Sequence, residues 1–335
     1  MPTKKYYCSF YGLMSGISGY LKKNLKGHVV KTTEDLLTIS NIDKKTEILG
    51  VNCASPVNKE IMDALPKLKL IVALTTGYDH IDLKEAKKRE IPVCNVPIYG
   101  ESTVAQHTMA LILALSRNIY TSGKRVKEGS FDFEGLRGFD LKDKTIGVVG
   151  TGHIGKHFIE MLQGFYTNII AYDKFPDEKI AKKFKFSYVT LDKLLRTSDV
   201  ISLHLPLFAD THHIINKKSI QKMKKGAYII NTARGGLIES EALLWGLETG
   251  HIAGAGLDVL EDEEMILNPE KLLWEEKHGE IIRHTLMNNV LIDHPKTIIT
   301  PHNAFNSNES VIRIIDTTVE NIEAFLGGNT KNNVT

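Results

Sequence analysis

Residues 150–155 read GTGHIG, three glycines at GxGxxG spacing, directly after the apolar run TIGVV (145–149) and before a helical pattern. Each glycine has a job in a phosphate-binding turn. Gly150 allows the tight turn, Gly152 lets the backbone come close to a pyrophosphate, and Gly155 lets the helix lie against the strand. The N–H groups that open the helix, around His153 and Ile154, then face a diphosphate. The next strand pattern, NIIAY (168–172), ends at Asp173, eighteen residues beyond Gly155. A carboxylate there accepts hydrogen bonds from the adenosine ribose hydroxyls and repels a 2′-phosphate, which favours NAD over NADP. Lys174 beside it softens that preference. A glycine turn that serves packing alone is the plainer alternative, but strand, loop, helix and acid occur in the order a dinucleotide needs.

Three more segments place polar residues after apolar runs: NTARGG (231–236), GLDVLEDEE (256–264) and TPHNAF (300–305). In α/β sheets the carboxyl ends of strands are where ligands bind. Taken singly, Arg234 is a surface or capping arginine, His302 a loop histidine, and the acidic run 261–264 a solvated face. Taken together they offer a planar cation, a titrating imidazole and a choice of carboxylates.

These groups need a scaffold. Short β-rich runs alternate with amphipathic stretches, the pattern of βα units around parallel sheets. Strands are expected at 5–10, 47–51, 69–74 and 91–94, then at 145–149, 168–172, 199–203, 227–231, 253–259 and 297–300. Helices are expected at 59–65, 83–89, 154–163, 191–197, 216–223, 239–249 and 310–326. Residues 101–118 predict a helix apolar on nearly every side, with Thr103 and Gln106 as a capping box. Such a helix belongs between domains or in a subunit interface. Residues 123–144 read as an exposed connection, and 272–284, inside the long segment 264–296, as helical.

The chain has 335 residues, more than one core usually organises, so two domains are expected. Hydrophobic residues at 42% and charged residues at 24% exclude a largely disordered chain. A net charge of +2 gives no argument for a nucleic-acid or membrane partner. Cys8, Cys53 and Cys94 have neither metal spacing nor an even count. They read as reduced thiols, with no metal centre. No apolar run reaches membrane length and the N-terminus lacks a signal core, so a cytoplasmic protein is expected.

The chain resembles the D-isomer-specific 2-hydroxyacid dehydrogenase family, and most resembles its D-lactate dehydrogenase branch. The motifs are TTGYDHID (75–82), NVPIYG (95–100), DLKDKTIGVVGTGHIG (140–155), ISLHLPL (201–207), NTARGG, GLDVLEDEE and TPHNAF, in the family's order. The resemblance implies that Arg234 binds the substrate carboxylate and carbonyl oxygen, and that His302 is the acid/base. It selects Glu263, rather than Glu261 or Glu264, as the carboxylate that pairs with His302. Asp258 matches the residue that contacts the nicotinamide carboxamide. His204 and Pro206 match the turn beside the cofactor, and Thr232 and Ala233 supply backbone contacts. Thr76 and Gly77 match the backbone that meets the substrate carboxylate, while Tyr99 and Phe305 match aromatics that limit side-chain room. Leu260, where many relatives have tyrosine, and Asn303 and Asn306 around Phe305 depart from the pattern.

The implied protein is an α/β enzyme of two domains. A Rossmann NAD-binding domain (101–301) is inserted into a flavodoxin-like substrate domain (1–100 and 302–335), with substrate bound between them. Its expected activity is NAD-dependent reduction of pyruvate to D-lactate by a homodimer. Relatives acting on hydroxypyruvate, glyoxylate or a bulkier 2-oxo acid, and a non-enzymatic NAD-sensing corepressor of the same fold, are the alternatives.

Overall fold

Parallel strands are covered on both faces, so they read as unbroken apolar runs, and each successive pair needs a crossover between its members. The computed structural model describes residues 4–267 and 278–335 and contains two such sheets. They belong to two compact units, Met1–Tyr99 with Ser307–Thr335, and Gly100–Asn306.

The first unit holds β1 (Tyr7–Tyr11), β2 (Val29–Thr32), β3 (Ile48–Val51), β4 (Leu70–Ala73) and β5 (Val93–Cys94). All pair in parallel in the order β2-β1-β3-β4-β5, which is the flavodoxin-like arrangement. Every residue of β3 and β4 is buried, as central strands require. Asn58 and Asp82 cap the helices Lys59–Asp63 and Leu83–Lys88 by accepting from backbone N–H groups. The C-terminal helix Asn308–Leu326, capped by Ser307, returns to this unit. There its buried Asn321 donates to the Asn95 carbonyl at 2.8 Å, and the Val334 N–H donates to Val93. Burial, aided by Glu47, pushes the Cys8 thiol up to about 12, and burial pushes Cys94 up to about 11. The three cysteines form no disulfide.

The second unit holds β6 (Thr145–Val149), β7 (Asn168–Tyr172), β8 (Ser187–Tyr188), β9 (Val200–Leu203), β10 (Ala227–Asn231), β11 (Ile252–Leu257) and β12 (Thr297–Ile299). The order β12-β11-β10-β9-β6-β7-β8 is a doubly wound Rossmann sheet. Its order reverses between β6 and β9, and a crevice at the carboxyl ends of those two strands is where such sheets take a ligand.

Several local expectations change. The helix at 101–116 starts at Gly100 with no side-chain cap, so Thr103 and Gln106 form no capping box; Gln106 instead bonds Ser102 within the helix. Val104, Ala105, Met109, Leu111 and Ile112 are buried, but Gln106 and Ala110 are exposed, so the helix is not covered all round. It packs on β10, β11 and the helix His153–Leu162. The expected connection at 123–144 begins inside another helix, Ile119–Lys127, whose Arg125 holds the carbonyls of Asp132 and Glu134. The sequence pattern also passed over the helices Ser18–Asn24 and Glu178–Phe184 and the strands β2 and β8, all short or weakly apolar. Of the helix expected at 272–284, residues 272–277 lie outside the described residues, and a helix runs from His278 to Asp293. No helix among the described residues is long and apolar enough to cross a membrane.

Candidate active site

The dinucleotide loop is built by close backbone approaches. Gly150, at φ +97°, leaves β6 in a conformation that side chains disfavour, and its N–H donates to the Tyr172 carbonyl at 2.8 Å. A Cβ on Gly155 would stand 2.1 Å from the Gly150 carbonyl oxygen, so glycine is needed for the helix to meet the strand. Gly152 differs: a Cβ there would meet nothing within 4 Å. The chain's own packing does not demand glycine at that point. The open space over the start of the helix His153–Leu162 fits a pyrophosphate. His153 opens that helix with its Nδ1 2.6 Å from Glu101, and Ile154 is half-buried behind it.

Asp173 stands just past the carboxyl end of β7. One of its oxygens accepts from the Thr151 N–H (2.7 Å) and hydroxyl (3.0 Å), the other from the Phe175 N–H (2.8 Å). Lys174 is turned to Asp210 at 3.0 Å, so a carboxylate offsets the cation that complicated the NAD preference. His204 bonds Ser202 at 2.9 Å and lies against the Phe158 ring; burial pulls its imidazole down to about 3, which keeps it neutral. Pro206 is exposed and its carbonyl accepts from the Thr211 hydroxyl. The Thr232 hydroxyl is tied to Thr108 at 2.9 Å, and the Ala233 N–H is tied to the Asn231 side chain.

The second cluster gathers Arg234, Asp258, Glu263 and His302. His302 has φ +49°, unusual for a side chain with a Cβ, and several bonds hold it there. Its N–H donates to the Asp258 carbonyl at 2.8 Å. The Asp258 carboxylate, 1% exposed, accepts from the N–H groups of Asn303 (3.0 Å) and Ala304 (2.9 Å) and from the Thr300 hydroxyl. His107 approaches the same pair, 3.0 Å from the Thr300 hydroxyl and 3.5 Å from Asp258. Asp258, expected at the nicotinamide, thus anchors the loop that carries His302.

His302 Nδ1 is hydrogen-bonded to Glu263 Oε1, and Glu263 Oε2 accepts from the Leu260 N–H at 3.0 Å. Burial lowers the His302 pKa, but the hydrogen bond and charge of Glu263, with the charge of Asp258, outweigh burial and the opposing Arg234 charge. The net shift is upward. Glu261, a competitor for His302 in the sequence, instead faces His213 at 2.5 Å and Ser240. Burial pushes that carboxyl up, yet the Ser240 and His213 hydrogen bonds leave it below its ordinary value.

Arg234 follows β10, with its Nη1 donating to the Ala233 carbonyl at 2.7 Å and its own carbonyl accepting from Asn231. A Cβ on Gly235 would fall 2.0 Å from the Leu260 carbonyl oxygen, so the arginine turn lies directly on the backbone of the acidic loop. In the first unit, Thr76 lies in the turn after β4 and donates to the Val96 carbonyl at 2.9 Å, and the Gly77 carbonyl accepts from Thr75. Tyr99 is half-buried and its carbonyl accepts from Arg313. Phe305 is half-buried in the second unit.

Sequence reasoning missed His213, Thr151, Ser240, His107 and Asn288. Asn288 is fully buried and donates to the Glu261 carbonyl at 2.7 Å, from a helix whose His284 also meets Asp262 at 2.6 Å. Nothing in the local pattern marks these residues, since each acts on a segment distant in the chain.

The close approach at Gly155 has a testable consequence. Gly155→Ala should destabilise the second unit by about 1–3 kcal/mol through overpacking. It should also weaken NADH binding several-fold. Thermal melts and a fluorescence titration of NADH measure both, and an unchanged pair of values contradicts the assigned contact.

Residues 109–304 match the family model described as D-isomer specific 2-hydroxyacid dehydrogenase, NAD binding domain. A 2-hydroxyacid dehydrogenase homolog of Zymomonas mobilis is 36% identical over 301 residues, covering 88% of this chain and 89% of that one. An aromatic 2-oxoacid reductase of Clostridium sporogenes is 37% identical over 312 residues, covering 91% and 92%. The crystal structure of D-lactate dehydrogenase from Aquifex aeolicus, complexed with NAD and lactic acid, superposes with a TM-score of 0.85 at 32% identity, covering 98% of this chain and 100% of that one. With the nucleotide-type loop and the doubly wound sheet, these likenesses establish the chain as a member of the D-isomer-specific 2-hydroxyacid dehydrogenase family, an NAD-dependent oxidoreductase.

Proposed function

We propose that the chain is a D-lactate dehydrogenase, which reduces pyruvate with NADH and runs reversibly. The observation that carries the catalytic reading is the His302–Glu263 pair. With Nδ1 committed to the carboxylate, Nε2 is the nitrogen that exchanges a proton with substrate. NADH held by the dinucleotide loop would supply the hydride for the carbonyl carbon. The His302 imidazolium gives its Nε2 proton to the carbonyl oxygen and becomes neutral; in the oxidising direction the neutral ring takes that proton back. Glu263 stabilises the ring in its charged form, before donation in reduction and after proton uptake in oxidation. Arg234 binds the substrate carboxylate and carbonyl oxygen as a planar, permanently charged fork. Thr76, Gly77, Tyr99 and Phe305 complete the substrate contacts in this reading. Gly150, Gly152, His153, Ile154, Gly155, Asp173, His204, Pro206, Thr232, Ala233 and Asp258 line the cofactor.

Pyruvate is favoured because the Aquifex aeolicus protein is a D-lactate dehydrogenase and because the resemblance matches Tyr99 and Phe305 to aromatics that limit side-chain room. The Clostridium sporogenes relative, an aromatic 2-oxoacid reductase, supports a bulkier 2-oxo acid as the second reading. A homodimer goes with either; Phe131 and Phe133, 87% and 81% exposed, are apolar surface that a second copy could cover.

The test is NADH oxidation by purified protein with pyruvate, hydroxypyruvate, glyoxylate, 2-oxoisocaproate and phenylpyruvate, with light scattering for the mass in solution. The highest kcat/KM is expected with pyruvate, at the mass of two chains. A preference for phenylpyruvate moves the substrate and keeps the family. Tight NADH binding without turnover of any acid overturns the enzymatic reading, and a monomer overturns the assembly.

A further inference from the structure

We propose that His212, His213 and Glu261 form a binding site for a divalent transition-metal ion of the zinc class, separate from the His302 centre. Each residue offers one ligand atom, and the three atoms lie within 4.8 Å of one another. The site has both a rigid and an adjustable part. Glu261 is 6% exposed, and its Oε2 is fixed by the Ser240 N–H at 2.8 Å and hydroxyl at 2.6 Å. Its Oε1 faces His213 Nε2 at 2.5 Å. Partners that orient a ligating carboxylate in this way are characteristic of protein metal sites.

His213 is held at φ +49°, where a residue with a Cβ is strained. Its N–H donates to Gly236 at 2.9 Å and its carbonyl accepts from Asn216 at 2.9 Å, so local bonds maintain the strain. The effect is to aim two successive imidazoles the same way. The His212 and His213 rings lie face to face, centroids 3.8 Å apart and 28° between planes. A hydrogen-bonded His213–Glu261 pair accounts for two of the three groups. It gives no account of the second ring brought alongside them.

The chemistry of the donors selects the ion. Two imidazoles and one carboxylate suit Zn²⁺, Co²⁺ or Ni²⁺, whereas Mg²⁺ and Ca²⁺ prefer oxygen ligands throughout. Tetrahedral Zn²⁺ with bonds of about 2.0–2.2 Å needs ligand atoms roughly 3.3 Å apart. His212 is exposed and can turn inward to meet that spacing, while His213 and Glu261 open slightly to admit the ion. His213 moves its proton from Nε2 to Nδ1 through solvent, which frees the Nε2 lone pair for the metal. Water takes the fourth position. The bound ion would tie the turn at 211–213 to the acidic loop whose Leu260 N–H holds Glu263.

Calorimetric titration of the full chain with zinc chloride tests the site. One ion per chain is expected, with affinity lowered about tenfold or more in His212→Ala, which is a loss of about 1.4 kcal/mol per factor of ten. Cobalt(II) should give the intense visible absorption of a tetrahedral ion with the wild type and lose it with the variant. Because His212 is exposed, the variant's metal-free melting temperature should match the wild type, which separates ligand loss from misfolding. Absence of zinc binding by the wild type overturns the proposal, and so does unchanged binding in His212→Ala. Glu101, flanked by His153 at 2.6 Å and His157 at 3.6 Å, is the competing location. Binding abolished by Glu101→Gln but not by His212→Ala also overturns it.

Discussion

Replacing His302 with alanine should lower kcat for 2-oxo acid reduction by about 10²–10⁴, the usual contribution of a positioned general acid. NADH affinity should change little, because the dinucleotide loop at 150–155 is built without His302. The companion experiment is a pH profile. Reduction needs the imidazolium, so kcat/KM for reduction falls as pH rises through the His302 pKa. Burial pulls that pKa down, but Glu263 and Asp258 together hold it above the ordinary histidine value. Glu263→Gln removes the largest upward influence. The falling limb should therefore move to lower pH, and oxidation of the 2-hydroxy acid, which needs neutral imidazole, should persist to lower pH than in the wild type. Steady-state profiles in both directions check the sign. A limb that stays in place in Glu263→Gln removes Glu263 from the acid/base pair, and near-wild-type kcat in His302→Ala removes His302 itself.

How far these groups could be read in the chain depends on how local their signals are. The nucleotide loop was legible because one short segment contains the whole cause: apolar strand, three glycines, helix and a following acid. Four of the five strands of the first sheet and six of the seven of the second were legible for the same reason, as continuous apolar runs, whereas β2, with no fully buried residue, was not. β8, two residues long at the sheet edge, carries no such run. The expected capping box at Thr103 failed because Ser, Thr and Gln also occur inside helices, and Gly100 ends the preceding turn. Among the acids of 261–264, spacing alone could not choose a partner for His302. The choice depends on Asp262 at φ +47°, on Leu260 N–H reaching back to Glu263, and on Ser240 and His213 engaging Glu261. The Ser240 and His213 contacts join residues 21 and 48 positions apart, and no periodicity records them. The same holds for the support that the Asp258 carboxylate gives the Asn303 and Ala304 N–H groups, 45 and 46 positions away.

Arg234→Lys should cost about 10²–10⁴ in kcat/KM for the 2-oxo acid, since a lost pair of charge-assisted hydrogen bonds at about 1.5–3 kcal/mol each amounts to that range. Lysine keeps the charge but not the planar fork, so a deficit that survives this substitution is a deficit of geometry. The fold should tolerate the change, because the Nη1 bond to the neighbouring Ala233 carbonyl spans only one residue. Arg234→Ala adds an electrostatic effect of opposite sign to that of Glu263→Gln. The arginine charge lowers the His302 pKa, so its removal should raise it further and carry the reduction limb to higher pH, while the rate itself drops. Two variants that shift one titration in opposite directions locate Arg234 and Glu263 around the same imidazole. Loss of rate with no change in the limb would leave Arg234 as a substrate contact distant from His302. A kcat/KM for Arg234→Lys within about twofold of wild type would remove the arginine from transition-state binding altogether.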